Sequence, residues 1–290
     1  YVGAVLMHDP VRDRILLTGG AQDPDRPDSL WAYGMASGIW TDLAISFPLH
    51  GSVAAGIDPE QGRAYAVRLD ALVRKLVRLR LSDSGRTEVV TTLPFRVGAA
   101  SAFVAASGIL VIAGGAAESG ALSSAIFLLD VNTGAVQTLA LPDATNLPLA
   151  RMRHGMTLQS DGSLLIAGGV GPAGEVLSSP LRVHLNPPLI TPVTAVSLRA
   201  VAMPAMAVVG DTTMLYSGRT ADGSALRQML RCDLTAHCVR DDLDLVPSPR
   251  TGSFLAVSAT RRAAYLLGGI QDDLMAMRPA PDMWSLSLVT

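Results

Sequence analysis

The sequence predicts an all-β chain of six consecutive four-stranded antiparallel meanders, packed face to face and closed into a ring. Three observations predict it. Apolar strands ending in glycine recur, the steps between them are about 48 residues or twice that, and no window carries a 3.6-residue helical period. A lone four-stranded sheet with two apolar faces cannot bury both, whereas neighbours in a closed ring bury every face.

The units follow in order. In the first, about residues 1–48, the second strand is Ile15-Leu16-Leu17-Thr18-Gly19-Gly20, and the outer pair runs from Tyr33 to Trp40, two aromatic residues seven apart across a polar turn. The second, 49–95, lacks the glycines. It is recognised because Asp9-Pro10-Val11-Arg12-Asp13-Arg14 returns 49 positions later as Asp58-Pro59-Glu60-Gln61-Gly62-Arg63, which puts Arg68-Leu69 where Gly-Gly stands elsewhere. The third, 96–149, holds Val111-Ile112-Ala113-Gly114-Gly115 and an outer pair at Leu129 and Val136. The fourth, 150–198, opens on Arg151-Met152-Arg153-His154 and turns at Ser160-Asp161-Gly162-Ser163, where Asp-Gly supplies positive φ, before Leu165-Ile166-Ala167-Gly168-Gly169. The fifth, 199–247, has Met214-Leu215-Tyr216-Ser217-Gly218-Arg219, read as keeping the first glycine with Arg219 in place of the second. The sixth, 248–290, has Tyr265-Leu266-Leu267-Gly268-Gly269 and a third strand after Asp282-Met283-Trp284. It stops at Ser285-Leu286-Ser287-Leu288, so its outer strand is expected from sequence before Tyr1 or is lost by truncation.

Composition fits a folded, turn-rich chain: 290 residues, 27 Gly, 18 Pro, 49% apolar and 17% charged. Disorder is excluded by that apolar content. No apolar run approaches the roughly 18 residues of a membrane span, so no membrane insertion is expected. A formal charge of −2 gives no global attraction to nucleic acid, and no nucleic-acid partner is expected. One lysine, Lys75, stands against 22 arginines, the usage of a GC-rich bacterial genome. The chain begins at Tyr1 without Met or a basic-then-apolar leader, which reads as a processed protein or part of a longer one.

The glycine pair after an apolar strand, the apolar pair seven apart, Asp282-Met283-Trp284 and Arg151-Met152-Arg153-His154 together resemble the kelch repeat. The resemblance covers the whole chain and implies a six-bladed β-propeller of four-stranded antiparallel blades as a single domain. Kelch-type copper oxidases need a cysteine cross-linked to tyrosine. Here both cysteines lie in one outer hairpin, so no such chemistry and no cofactor are expected.

Those cysteines, Cys232 and Cys238, flank the polar turn Asp233-Leu234-Thr235-Ala236-His237, where other units have their apolar pair. Strands paired across such a turn come within disulfide range, which points to an oxidising, extracytoplasmic compartment; the other reading is two reduced core thiols. With His237 they make at most three ligands, so no metal site is expected. Arginines recur near the start of strand one: Arg96-Val97-Gly98, Arg153-His154-Gly155 and Arg250-Thr251-Gly252, with Arg199 near the looser fifth start. In a meander that end shares a face with the end of strand two, so Arg96, Arg153 and Arg250, with His154, join Arg68 and Arg219 at one mouth of the channel. Either they bind an anion or carboxylate, or they bridge neighbouring blades through loop acids and backbone carbonyls. The loops after strand two are acidic (Asp23, Asp25, Asp28, Asp70, Glu118, Glu175, Asp222, Asp272, Asp273), and those at 21–29 and 270–281 are expected to protrude.

No G-x-S-x-G, H-E-x-x-H, Walker or G-x-G-x-x-G motif occurs, and no catalytic residue is assigned. Asp83-Ser84-Gly85-Arg86-Thr87 resembles a sialidase Asp-box but has Leu81 and Glu88 at two required positions, and reads as a turn. The leading expectation is a non-enzymatic binding module of a secreted or surface-exposed bacterial protein, taking a protein or carbohydrate on the face with the loops after strand two. The alternative, implied by resemblance to bacterial kelch propellers that act on sialic acid, is a sugar-acid mutarotase or lyase. It would use Arg153 or Arg250 for a carboxylate and an acid such as Glu175 for proton transfer.

Overall fold

The computed structural model describes residues 4–19, 29–46, 54–70, 73–82, 85–93, 98–117, 119–141, 149–193, 199–216, 218–235, 237–241, 247–258, 260–273, 276–279 and 283–287. Five meanders follow one another. The first sheet is β1 (Ala4–Asp9), β2 (Arg14–Gly19), β3 (Ser29–Gly34) and β4 (Ile39–Ser46); the second is β5 (Ala54–Asp58), β6 (Arg63–Asp70), β7 (Val73–Arg80) and β8 (Arg86–Thr91). The third is β9 (Ala100–Val104), β10 (Ile109–Ala113), β11 (Ile126–Asp130) and β12 (Val136–Thr138); the fourth is β13 (Gly155–Leu158), β14 (Leu164–Ala167), β15 (Leu181–Leu185) and β16 (Pro188–Pro192). The fifth is β17 (Ala205–Val209), β18 (Thr212–Tyr216), β19 (Met229–Cys232) and β20 (Cys238–Asp241). The sixth orders β22 (Phe254–Ser258), β23 (Ala263–Leu267) and β26 (Met283–Ser287). A separate three-stranded sheet joins β21 (Arg250–Thr251), β24 (Ile270–Asp273) and β25 (Ala276–Pro279). The fold is a six-bladed β-propeller of antiparallel blades, and the one helical segment among the described residues is a 3-10 turn at Ala105–Ser107.

The chain packs as two compact units. Unit 1 comprises 1–95, 101–112 and 127–138; unit 2 comprises 96–100, 113–126 and 139–290. In unit 1, Met7, Leu16, Leu30, Ala32 and Ile45 of the first sheet meet Ala64, Ala66, Val77 and Leu79 of the second. The alternate residues of β6 face the other way, and Tyr65 stacks on Phe103 with ring centroids 5.2 Å apart. Strand two is buried on both faces, which is why β14 reads Leu164-Leu165-Ile166-Ala167 without a polar residue. In unit 2, Ala205, Ala207, Met214, Tyr216 and Met229 pack on Leu255, Val257, Ala264 and Leu266.

Register corrects one alignment read from sequence. Ala167 pairs with Gly155, Tyr216 with Ala205 and Leu267 with Phe254, so these are equivalent positions. Ser217-Gly218 therefore corresponds to Gly168-Gly169: the fifth unit keeps the second glycine, and Arg219 stands at the place of Val170 rather than of a motif glycine. The residues 270–281, expected as a loop, contain the β24/β25 hairpin, and the 21–28 part of the other long loop lies outside the described residues.

Candidate functional site

The glycine pairs in unit 2 make the blade-to-blade junction. A Cβ at Gly114 would collide with the carbonyl oxygen of Arg151, and one at Gly168 with that of Val201; both glycines also have positive φ, +64° and +67°. Without side chains, the end of strand two lies directly against the lead-in to strand one of the next blade. The amides of Gly115, Gly169 and Gly218 then donate to the carbonyls of Arg151, Val201 and Arg250 at 2.8, 2.7 and 3.4 Å. Where the second unit has Arg68-Leu69, β6 instead runs on for eight residues, and Arg68 sits opposite Lys75 with its backbone in the ladder.

These junctions support a second row of hydrogen bonds between neighbouring lead-ins. Arg153 N–H donates to the Gly98 carbonyl (2.7 Å), Met203 N–H to Arg153 (2.6 Å) and Gly252 N–H to Met203 (3.2 Å). All four residues are left-handed, with φ of +71°, +55°, +55° and +65° for Gly98, Arg153, Met203 and Gly252. Arg and Met adopt this conformation at a cost of order 1 kcal/mol, and the bonds on both sides hold them in it. The Arg153 side chain is exposed.

This row shows that Arg153 is the counterpart of Gly98 and Gly252, not of Arg250. The counterpart of Arg250 is Arg151. Both are buried, at 0% and 1% exposure, and both point inward. Arg250 donates to the carbonyls of Ser248 and Gly268, each at 3.2 Å, and to Ser248 Oγ at 2.9 Å; Arg151 donates to the carbonyls of Gly168 at 2.9 Å and Ser179 at 3.3 Å. Burial pulls the Arg151 pKa down to about 10. A signal for Arg151 was present in the sequence: it precedes its glycine pair by 17 residues and Arg250 precedes its own by 18, whereas Arg153 precedes by 15. Arg96 lies outside the described residues.

His154, next to Arg153, is buried between blades, with Gly169 close behind its Cβ and Gly114 against Cε1. Neither ring nitrogen has a partner among the described residues. Burial, with the nearby Arg151 charge second, lowers its pKa to about 3, so the imidazole is neutral at physiological pH.

After each junction the chain makes a short hairpin, at Ala116–Leu122, Val170–Val176 and Arg219–Ala225, closed by antiparallel bridges. Gly120, Gly174 and Gly223, each five residues after the second motif glycine, take φ of +84°, +80° and +89° at the tips. The acids here are held by their own hairpins. Glu175 accepts the Ala173 N–H at 2.9 Å, and Asp222 accepts from Ser224 N–H (3.1 Å), Ser224 Oγ (2.6 Å) and the Thr220 hydroxyl. Those bonds, led by the two hydroxyls, bring Asp222 down to about 2. Arg219 Nε reaches the Gly223 carbonyl at 2.6 Å. At the outer edge of the fifth blade, Cys232 and Cys238 are directly opposed and disulfide-bonded, with Cα atoms 4.0 Å apart, and pack on Ala167, Leu215 and Leu230.

No protein-family model and no curated protein sequence matches this chain. A solved structure described as "Structure of YjhT" superposes with a TM-score of 0.62 at 16% identity, over 78% of this chain and 74% of the other. The likeness is one of fold.

Proposed function

We propose that the chain is a kelch-type, non-enzymatic binding module of a secreted or surface-exposed bacterial protein, and that its hairpins after strand two take a protein or carbohydrate ligand. The observation that carries this reading is the set of equal-length hairpins in unit 2, each closed by a positive-φ glycine and seated on a row of inter-blade hydrogen bonds. Such tips can change their side chains without disturbing the core, the usual division between recognition loop and rigid scaffold. The groups an acid–base mechanism would draw on are engaged elsewhere: Arg250 and Arg151 on backbone carbonyls, Glu175 and Asp222 in their own turns. The Cys232–Cys238 bond supports an extracytoplasmic site, because such bonds persist in oxidising compartments.

The test replaces residues 171–175 and 220–224 by Gly/Ser segments of the same length and compares binding to arrayed glycans and peptides with that of the wild type. Ligands retained by the wild type should be lost or weakened by roughly tenfold, about 1.4 kcal/mol. Unchanged binding would move the site elsewhere. The second reading, a sugar-acid mutarotase or lyase, draws on the exposed Arg153; interconversion of sugar-acid anomers by the wild type, abolished in Arg153→Ala, would replace the binding reading with it.

A further inference from the structure

His154 is buried in unit 2 with its chemistry unused. A neutral imidazole carries one N–H donor and one acceptor nitrogen. Here both nitrogens are buried, and neither has a hydrogen-bond partner among the described residues. Each has lost its bond to water and gained none, the expensive arrangement for a polar group. His8 in unit 1 is the contrast. Its Nε2 is likewise buried without a partner, but the carboxylates of Asp9 and Asp13 act against the effect of burial. Among the described residues, the charged group acting on His154 is instead the Arg151 guanidinium, of the same sign as a protonated imidazole. The ends of β10 and β14 packed against the ring bring Gly114, at Cε1, and Gly169, behind Cβ, with the Met152 carbonyl alongside, and none of these titrates. Arg153, the chain neighbour, is exposed.

The imidazole sits where few bonds hold one blade to the next. The lead-in 151–154 meets the preceding blade through two backbone hydrogen bonds, Gly115 N–H to the Arg151 carbonyl at 2.8 Å and Arg153 N–H to the Gly98 carbonyl at 2.7 Å. Arg153 makes the second of these in a left-handed conformation, φ +55°, which an arginine adopts at a cost. The remaining backbone bonds of the lead-in run elsewhere: Met152 exchanges two with Val170 of its own blade, at 3.0 and 2.8 Å, and the Arg153 carbonyl accepts from Met203 of the next.

We propose that this junction is an acid-sensitive latch: as the pH falls, the lead-in 151–154 lifts from Gly98 and Gly114–Gly115, His154 gains a proton and water partners, and the hairpin Ala116–Leu122 is uncoupled from the blade that carries Val170–Val176. The sign follows from proton binding. Closed, burial holds the His154 pKa at about 3; open, it returns to the ordinary 6.5. The open form therefore binds more protons between these values, and opening is favoured as the pH drops below about 6.5. Repulsion from Arg151 acts in the same direction. From pH 7 to pH 5, proton binding raises the open population about 25-fold. The latch belongs to the scaffold and stands or falls separately from the binding reading above.

Amide hydrogen exchange of the full chain tests it, followed by NMR at pH 7 and pH 5 and corrected for the intrinsic chemical rate at each pH. The protection factors of Gly115 and Arg153 should fall about 25-fold. At pH 5 their exchange should be nearly independent of low urea concentrations, because a local opening exposes little surface. Protection of Ala202, bonded to the Arg219 carbonyl at 2.8 Å, and of Gly252, bonded to the Met203 carbonyl at 3.2 Å, should change by less than about twofold. His154→Phe should abolish the fall at Gly115 and Arg153, and His154→Gln carries the comparison if the phenylalanine variant does not fold. The wild type alone supplies another check, since the His154 ring resonances should not titrate between pH 7 and pH 5. A ring that titrates near 6.5 in the native protein, an equal fall at Ala202 and Gly252, the steep urea dependence of global unfolding at Gly115, or a pH effect retained in the folded variant would each overturn the proposal.

Discussion

At the scale of single residues, the groups that set stability are those buried without a matching charge. His154 is neutral in the fold down to about pH 3, whereas an unfolded chain takes up that proton near 6.5. Between these values the unfolded state binds more protons, so stability is full above about pH 6.5 and falls as the pH drops toward 3. By about pH 5 the loss from this residue is about 2 kcal/mol. Urea unfolding at neutral and acid pH should show that difference in the wild type, and His154→Phe should flatten the slope by the same amount. An equal slope in the variant would mean that the imidazole is hydrated. Arg151 and Arg153 show how a sequence misleads at this scale. Both are arginines near a glycine, two positions apart; the spacing to the glycine pair favours Arg151, and the hydrogen-bond register assigns Arg151 to the interior and Arg153 to the surface. A one-position shift in the fifth unit likewise moved Arg219 out of the glycine motif.

At the scale of elements, the strands were legible because burial on both faces demands uninterrupted apolar residues, as in β10 and β14. The hairpins were not. Their arms are single bridged residues with Gly, Pro, Ser and Asp between them, a composition indistinguishable from a loop, closed by short-range bonds such as Gly171 N–H to the Glu175 carbonyl and Thr220 N–H to the Ser224 carbonyl. The repeated glycines at 120, 174 and 223 were the signal available. The β19/β20 hairpin is closed covalently, and its two cysteines are six positions apart. Closing so short a loop contributes about 2 kcal/mol, so Cys232→Ala/Cys238→Ala should unfold at correspondingly lower urea while keeping its β circular dichroism. Full alkylation of the unreduced native protein would contradict the bond itself.

At the scale of the whole molecule, six repeats in phase gave the fold, because a period of about 48 residues leaves few architectures that bury two-faced sheets. The ligand was not legible, since the side chains of the hairpin tips obey no packing rule. In unit 2, glycine pairs couple one blade to the next, so these blades unfold as a cooperative assembly and their tips ride on a rigid base. Comparing Gly168→Ala with Gly174→Ala tests it most directly, because both glycines have positive φ, +67° and +80°, but only Gly168 has a neighbouring backbone where the Cβ would go. Chemical unfolding should show a loss of about 1 kcal/mol for Gly174→Ala, the conformational cost alone. For Gly168→Ala it should show a loss of about 3 kcal/mol or more, with a broadened transition. Equal losses for the two variants would contradict the account.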